Sequence, residues 1–158
     1  MDHEKRREEI AEATWRVIER SGASGANMRE IAREAGHTTG VVTHYFRDKR
    51  ELMAFAFGLM VERSTERMAE AAARSGPTEA LAELLPLDED RRREGTVWLA
   101  LVGASLADPG LAGELRRRYR LAREATFPAF RATLEKAAPA EDPDEVADAL
   151  VAVVDGIT

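Results

Sequence analysis

The sequence predicts an all-α protein: an N-terminal three-helix bundle with a helix-turn-helix, joined by a long helix to a C-terminal helical bundle. Three observations carry this. Ala, Leu, Glu and Arg dominate while runs of β-branched residues are scarce, a bias toward helix and away from sheet. Apolar residues recur at the 3.6-residue helical period through each long segment. Glycine and proline fall between those segments, where helices start and stop. With 158 residues, 44% of them hydrophobic, the chain can form one ordinary domain or a small domain fused to a medium one.

The first helix is expected over Glu4 to Arg20, with Ile10, Thr14, Val17 and Ile18 on one face and Trp15 flanking it. Ser21-Gly22 ends it, Gly22 suiting a left-handed cap. Asn27 is a good N-cap for a two-turn helix in which Met28, Ile31, Ala32 and Ala35 face inward, and Glu30 makes the pattern resemble a capping box. Gly36 breaks that helix, and Thr38 can cap the next, which runs to about Phe46. Helical periodicity separates the two sides of that third helix. Val41, Val42, Tyr45 and Phe46 share an apolar arc, and Thr39, Gly40, Thr43 and His44 share a small, polar, uncharged one.

Asp48 caps a long helix from Lys49 to about Arg74, and Gly76-Pro77 is the clearest break in the chain. Thr78 is expected to cap a short helix ending near Leu85, stopped by Pro86. Glu89 to Ala107 reads as a helix whose second half is apolar almost all round, as in the middle of a bundle. After a turn at Asp108-Pro109-Gly110, a helix is expected from Leu111 to about Ala137, kinked at Pro128. It carries a band at Arg116, Arg117, Arg118, Arg120 and Arg123 that is expected to face solvent. A final helix from about Asp144 puts Val146, Ala147, Leu150, Val151 and Val154 on one face, to serve as core or as dimer interface.

Charge and composition narrow the function. The formal net charge is −6, but residues 1–50 hold ten Lys/Arg against nine Asp/Glu, so the acidity lies in the rest of the chain. There is no cysteine, and His3, His37 and His44 lack a metal-ligand spacing. The expectation is therefore no metal, no cofactor, no catalytic residues and no enzyme. The charged N-terminus is neither a signal peptide nor an anchor, and the run Val97 to Ala107 is too short to span a bilayer. A cytoplasmic protein is expected.

The motif that organises the chain is Met28 to Leu52, MREIAREAGHTTGVVTHYFRDKREL. Two short helices about a glycine turn occur in many bundles. The small polar outer face adds information, because a helix entering the major groove needs residues that let its backbone approach the bases. With the preceding Asn27, the stretch resembles the tetracycline-repressor (TetR) family of bacterial regulators. Ile31-Ala32, Ala35-Gly36, Thr38, Gly40, Tyr45-Phe46, Asp48-Lys49 and Leu52 carry the match, which covers roughly residues 8–55.

The resemblance implies a helix-turn-helix DNA-binding domain over 1–48 and a helical ligand-binding and dimerisation domain over 49–158. It implies that Thr38 and Lys49 hold phosphates, and that Thr39, Gly40 and Thr43 face base edges. His44 and Tyr45 would touch backbone or sugar, and Arg29, on the supporting helix, a base. Three positions depart from the family pattern: His37 replaces an aliphatic residue, Val41 a small hydroxyl residue and Thr43 a tyrosine. They bear on operator sequence and affinity rather than on the mode of binding.

The family reading of the second domain is an effector pocket, for which Phe57, Met60, Trp98, Leu101, Val102, Tyr119, Phe127 and Phe130 are the candidates; packed core is the plainer reading of most of them. No charge interrupts the apolar runs, so an apolar or aromatic effector is expected rather than an anion. The family dimerises through two C-terminal helices. This chain supplies one, around Val146 to Val154, and ends at Thr158, so either a truncated sequence or a differently built dimer is expected.

The implied function is a ligand-responsive transcriptional regulator, most simply a repressor that binds a palindromic operator as a homodimer and is released by a small molecule. The alternative from another class is a small-molecule-binding or protein-interaction module that has lost operator binding. The near-neutral reader and the changes at Val41 and Thr43 favour that alternative.

Overall fold

The computed structural model describes residues 3–137 and 142, and among them every element is helical. There are seven: α1 (His3–Gly25), α2 (Met28–Glu34), α3 (Thr39–Tyr45), α4 (Lys49–Ser75), α5 (Pro77–Ala82), α6 (Glu89–Ser105) and α7 (Pro109–Ala137). The chain divides into two compact units. One comprises Met1–Met60 and Thr96–Tyr119, the other Val61–Gly95 and Arg120–Thr158. These are packing units, and α4, α6 and α7 each contribute to both; the 48/49 boundary is a functional division and need not coincide with them.

In the first unit, α1 buries Ile10, Ala13, Thr14, Val17 and Ile18, the stripe its periodicity predicts. Thr14 is the one buried polar residue among those described, and its hydroxyl donates to the Ile10 carbonyl at 2.9 Å, so it leaves no unmet donor in the core. Gly22 (φ 68°) interrupts α1 where the sequence places its end, and one further turn follows it. Trp15 is half-buried and its indole N–H donates to the Ala56 carbonyl at 3.0 Å, tying α1 to α4. Arg16 Nε and Arg20 Nη2, one turn apart on α1, hold the two carboxylate oxygens of Glu34 on α2 at 2.7 and 2.9 Å. Their hydrogen bonds keep the Glu34 carboxyl below its ordinary range.

Val42, Phe46, Leu52, Ala56 and Phe57 complete this core. Phe46 and Phe55 meet with ring centroids 5.4 Å apart. The Arg7 guanidinium lies over both, 4.1 Å from the Phe55 centroid and 5.1 Å from that of Phe46. In the same unit, Arg50 near the start of α4 donates to Asp108 at 3.0 Å, and Asp108 also accepts from the backbone N–H groups of Gly110 and Leu111.

In the second unit, Met68, Ala71, Ala72 and Ala80 are buried. An ion network closes α4 on α5 and α6: Arg67 meets Glu94 at 2.6 Å and Glu83 at 3.6 Å, and Arg91 meets Glu83 at 3.6 Å and Asp88 at 2.7 Å.

Several boundaries differ from expectation. Gly76 (φ 103°), not Thr78, is the N-cap of α5, because Pro77 at the first helical position has its φ pre-set and no N–H to satisfy. Pro109 likewise starts α7 inside the predicted turn, and α7 remains helical through Pro128. The second half of α6 is not enclosed. Val97 and Leu101 are buried, but Leu99 is 53% exposed, and Leu106, just past the end of the helix, 86%. A helix that packs on one side through residues four apart leaves its other side open whatever its composition. Arg118 departs from the solvent-facing band, being turned against Gly58 and the Phe55 ring. The face from Val146 to Val154 lies outside the described residues.

Three helices open on an aspartate that accepts a backbone N–H: Asp48 from Glu51 at 2.8 Å, Asp88 from Arg91 at 2.9 Å, and Asp108 from Leu111 at 3.1 Å. In each case that bond is the largest influence holding the carboxyl below its usual value. A carboxyl whose folded pKa is depressed contributes stability above its unfolded pKa of about 3.9 and loses it as pH falls through the folded value. Thermal stability is therefore expected to be insensitive to these caps from neutrality to about pH 5 and to fall below about pH 4. Asp108→Asn should flatten that acid limb in a melting series; an unchanged limb would remove Asp108 as a contributor.

Candidate nucleic-acid interface and ring cluster

The reading face is built by two caps and a short helix. Asn27 Oδ1 accepts from the Glu30 N–H at 3.0 Å and starts α2. Gly36 (φ 71°) makes the turn, and the His37 N–H returns to the Ala32 carbonyl at 2.8 Å. Thr38 Oγ1 accepts from the Val41 N–H and starts α3. Val42 and Phe46 then bury completely, which fixes the rotation of α3 about its axis.

That rotation leaves Thr38, Thr39, Gly40, Thr43 and His44 exposed, together with Arg29 on α2. Val41, Tyr45 and Lys49 are half-buried, so the predicted apolar arc holds fully for Val42 and Phe46 and partly for the other two. Thr43 Oγ1 donates to the Gly40 carbonyl at 3.1 Å. Tyr45 has two rings beside it, His3 of α1 at 4.7 Å and His44 at 5.2 Å.

Gly40 is informative. Its φ is not positive, and a Cβ built there would meet only Thr38 Oγ1, at 3.8 Å. Neither conformation nor internal packing requires glycine at this position. Glycine nevertheless costs a helix about 1 kcal/mol relative to alanine. It leaves the centre of this exposed face without a side chain.

Two side chains have roles that the sequence did not suggest. Lys49 Nζ donates to the Ala23 carbonyl at 2.8 Å, just beyond the Gly22 break in α1, and partial burial lowers its pKa. Arg6 Nη1 lies 2.8 Å from His37 Nε2 and is also paired with Glu9, so the turn is anchored to α1. A guanidinium can only donate, so this His37 nitrogen acts as the acceptor. Neither pairing has a local sequence signal, since the partners are 26 and 31 positions apart.

The pocket candidates divide. Phe57, Met60 and Leu101 are buried, while Trp98, Val102 and Tyr119 are half-buried, and all six belong to the first unit. Phe57 and Trp98 have ring centroids 4.8 Å apart, and Trp98 meets Tyr119 edge-on at 5.6 Å, so one ring from each of α4, α6 and α7 forms a continuous cluster. Phe127 and Phe130 lie on α7, but their side chains are outside the described set. No group of three or more His, Cys, Asp and Glu that could hold a metal ion occurs among the described residues.

Residues 10–55 match the family described as bacterial regulatory proteins, tetR family, and residues 73–158 match the BetI-type transcriptional repressor, C-terminal family. Among curated proteins, the chain is 46% identical over 105 residues to the HTH-type transcriptional regulator PksA of Bacillus subtilis. That match takes in 63% of this chain and about half, 51%, of PksA. It is 30% identical to the HTH-type transcriptional regulator BetI of Stenotrophomonas maltophilia over 96% of this chain and 79% of that one. A Rhodococcus transcriptional regulator of known structure superposes with a TM-score of 0.75 at 34% identity, covering 95% of this chain and 80% of the other. A regulator from Saccharomonospora viridis, solved in complex with choline, superposes with a TM-score of 0.72 at 26% identity, covering 97% and 83%.

The bond from Lys49 to Ala23 separates stability from DNA contact. Lys49→Met should lower folding stability by roughly 1–3 kcal/mol, the loss of a charge-assisted hydrogen bond, as read by urea denaturation without DNA. A variant as stable as the wild type would return Lys49 to an exclusively phosphate-directed role.

A glycine-turned pair of helices with a smooth exposed face, and a long helix continuing from it, thus coincide with both family matches. The chain belongs to the tetR family of bacterial regulatory proteins, DNA-binding and ligand-responsive transcriptional regulators, and its second half is that of the BetI-type repressors.

Proposed function

We propose that the chain represses transcription in the cytoplasm as a homodimer on a palindromic operator, and that a small molecule at the Phe57–Trp98–Tyr119 rings releases it. Residues 1–48 are the reading head, and 49–158 receive the ligand and form the dimer. The single observation that carries the DNA reading is Gly40, a helical glycine that the protein's own packing does not need, at the centre of an exposed polar face. Thr39 and Thr43 flank it toward base edges. Arg29 reaches a base, and Thr38, His44 and Tyr45 take phosphate or sugar. Val41 sits beside them without a hydroxyl. Lys49 divides its charge between the Ala23 carbonyl and the phosphates. Because the head carries nearly balanced charge, two heads on one operator supply the affinity that one lacks.

The ring cluster suits an apolar or aromatic effector. A second reading is a quaternary ammonium, whose charge is stabilised over ring faces; it is favoured by the choline complex of the Saccharomonospora viridis regulator. Release follows if the effector prefers a conformation in which the two heads no longer match successive major grooves.

Selection from random duplex DNA should enrich a palindrome, whereas a module that had lost operator binding would enrich none. On the selected duplex, Gly40→Ala should raise the melting temperature yet abolish specific binding in fluorescence anisotropy, because a methyl group then occupies the approach to the bases. Retained affinity would remove the argument from Gly40. Thr39→Ala should relax discrimination at one base pair per half-site by about 1–3 kcal/mol. For the effector, quenching of Trp98 fluorescence by choline but not by its neutral isostere 3,3-dimethylbutan-1-ol would select the cation reading. Equal quenching by both would select the apolar one, and silence toward both would remove the rings as a site for molecules of this shape.

A further inference from the structure

We propose that Arg118, seated against Gly58, is a positioning residue through which the ring cluster and the recognition helix α3 sense each other. The inference rests on the reading of α3 as the DNA-contacting helix. Arg118 precedes Tyr119 on α7, and Gly58 follows Phe57 on α4, so their contact lies one residue from the rings that Trp98 joins. A Cβ on Gly58 would stand 2.6 Å from Arg118 Nη1 and 2.7 Å from its Cδ. Gly58 is buried within a helix and has no positive φ. Its backbone therefore does not require glycine, and alanine would favour the helix. What glycine provides here is the notch that Arg118 fills.

From that notch the contacts continue to the reading face. The Arg118 guanidinium lies 5.8 Å from the centroid of Phe55, whose other neighbours include Phe46 at 5.4 Å and the Arg7 guanidinium at 4.1 Å. Phe46 is the C-cap of α3, and Arg7 lies over its ring as well. Arg118 has Glu114, one turn back on α7, at 3.3 Å from its Nε. Arg7 has Glu4 at 3.9 Å, and its buried Nε has no hydrogen-bond partner. Arg7 is thus held largely by ring faces, whereas Arg118 is held by Glu114 and reaches the Phe55 ring at longer range. A shift of Tyr119 relative to Phe57 must move Arg118 in its notch, which alters the packing of Phe55 and with it the seat of Phe46.

Coupling between two sites is reciprocal, so the idea can be tested with DNA as the only ligand. The protein contains two tryptophans, and labelling with 5-fluorotryptophan gives two ¹⁹F resonances, that of Trp98 being assigned by its loss in Trp98→Phe. Saturation with the selected duplex is expected to shift the Trp98 resonance. Gly58→Ala should still fold, because the added methyl meets a side chain, Arg118 from Cδ outward, and no backbone atom. It should bind the duplex with little change in affinity, yet lose most of the Trp98 shift. Arg118→Met, which keeps the aliphatic stem, should lose it likewise. A Trp98 resonance that DNA leaves unmoved in the wild type, or moves equally in both variants, overturns the proposal and leaves Arg118 as packing. Failure of the wild type to bind any duplex in anisotropy is a different result. It removes the operator reading, and this inference falls with it.

Discussion

A seven-residue helix cannot hold its shape in water, because the nucleation cost exceeds what two turns return. The proposed reading of DNA nevertheless depends on the angular pose of such a helix. The constraint on which the structure rests is therefore the burial of Val42 and Phe46, the two α3 side chains with no exposed surface, into a core that α1 and α4 supply. Phe46 does most, since it lies at the C-cap and its ring meets both Phe55 and the Arg7 guanidinium. With those two side chains in place, the opposite face of α3 is determined by geometry alone.

The other interactions in the first unit hold that core in register. Trp15 ties α1 to the Ala56 carbonyl, Glu34 is gripped from α1 by two arginines, and His37 is held by Arg6. These polar ties individually contribute little where they are exposed. Their value is positional, since each joins a different point of the helix-turn-helix to α1 or α1 to α4. The Arg50–Asp108 pair and the Arg118–Gly58 contact do the same for α7 at two points along α4. The ring cluster and the reading head consequently share one packed unit, although a division by function would part them at the start of α4.

Most of the fold and most of the reading face were legible in the sequence, and the reasons are local. Asn27, Thr38, Asp48 and Gly36 act within four residues of themselves, through caps and a turn, so their roles follow from residue type and spacing. Periodicity over seven residues separated Val42 and Phe46 from Thr39, Gly40, Thr43 and His44. The misplacements have two causes. At α5, Pro77 reads as part of the break, yet its pre-set φ and missing N–H suit it to the first helical position. The openness of α6 at Leu99 and Leu106 depends on what packs against it, which an all-round apolar pattern does not disclose.

By itself, then, the sequence determined the helical class, the order of the elements, the caps of α2, α3 and α4 and the side of α3 that faces outward, because each of these is set by neighbours along the chain. Only the tertiary structure decided the partners of Lys49, His37 and Arg118. These are charged or polar side chains, and they meet a carbonyl, a guanidinium, a ring and a glycine notch 26 to 63 positions away. Such contacts arise where helices cross, and the crossing points follow from the packed volume of the whole core rather than from any one helix. It was this level that turned Arg118 from a member of a surface band into the side chain that fills the space left by Gly58.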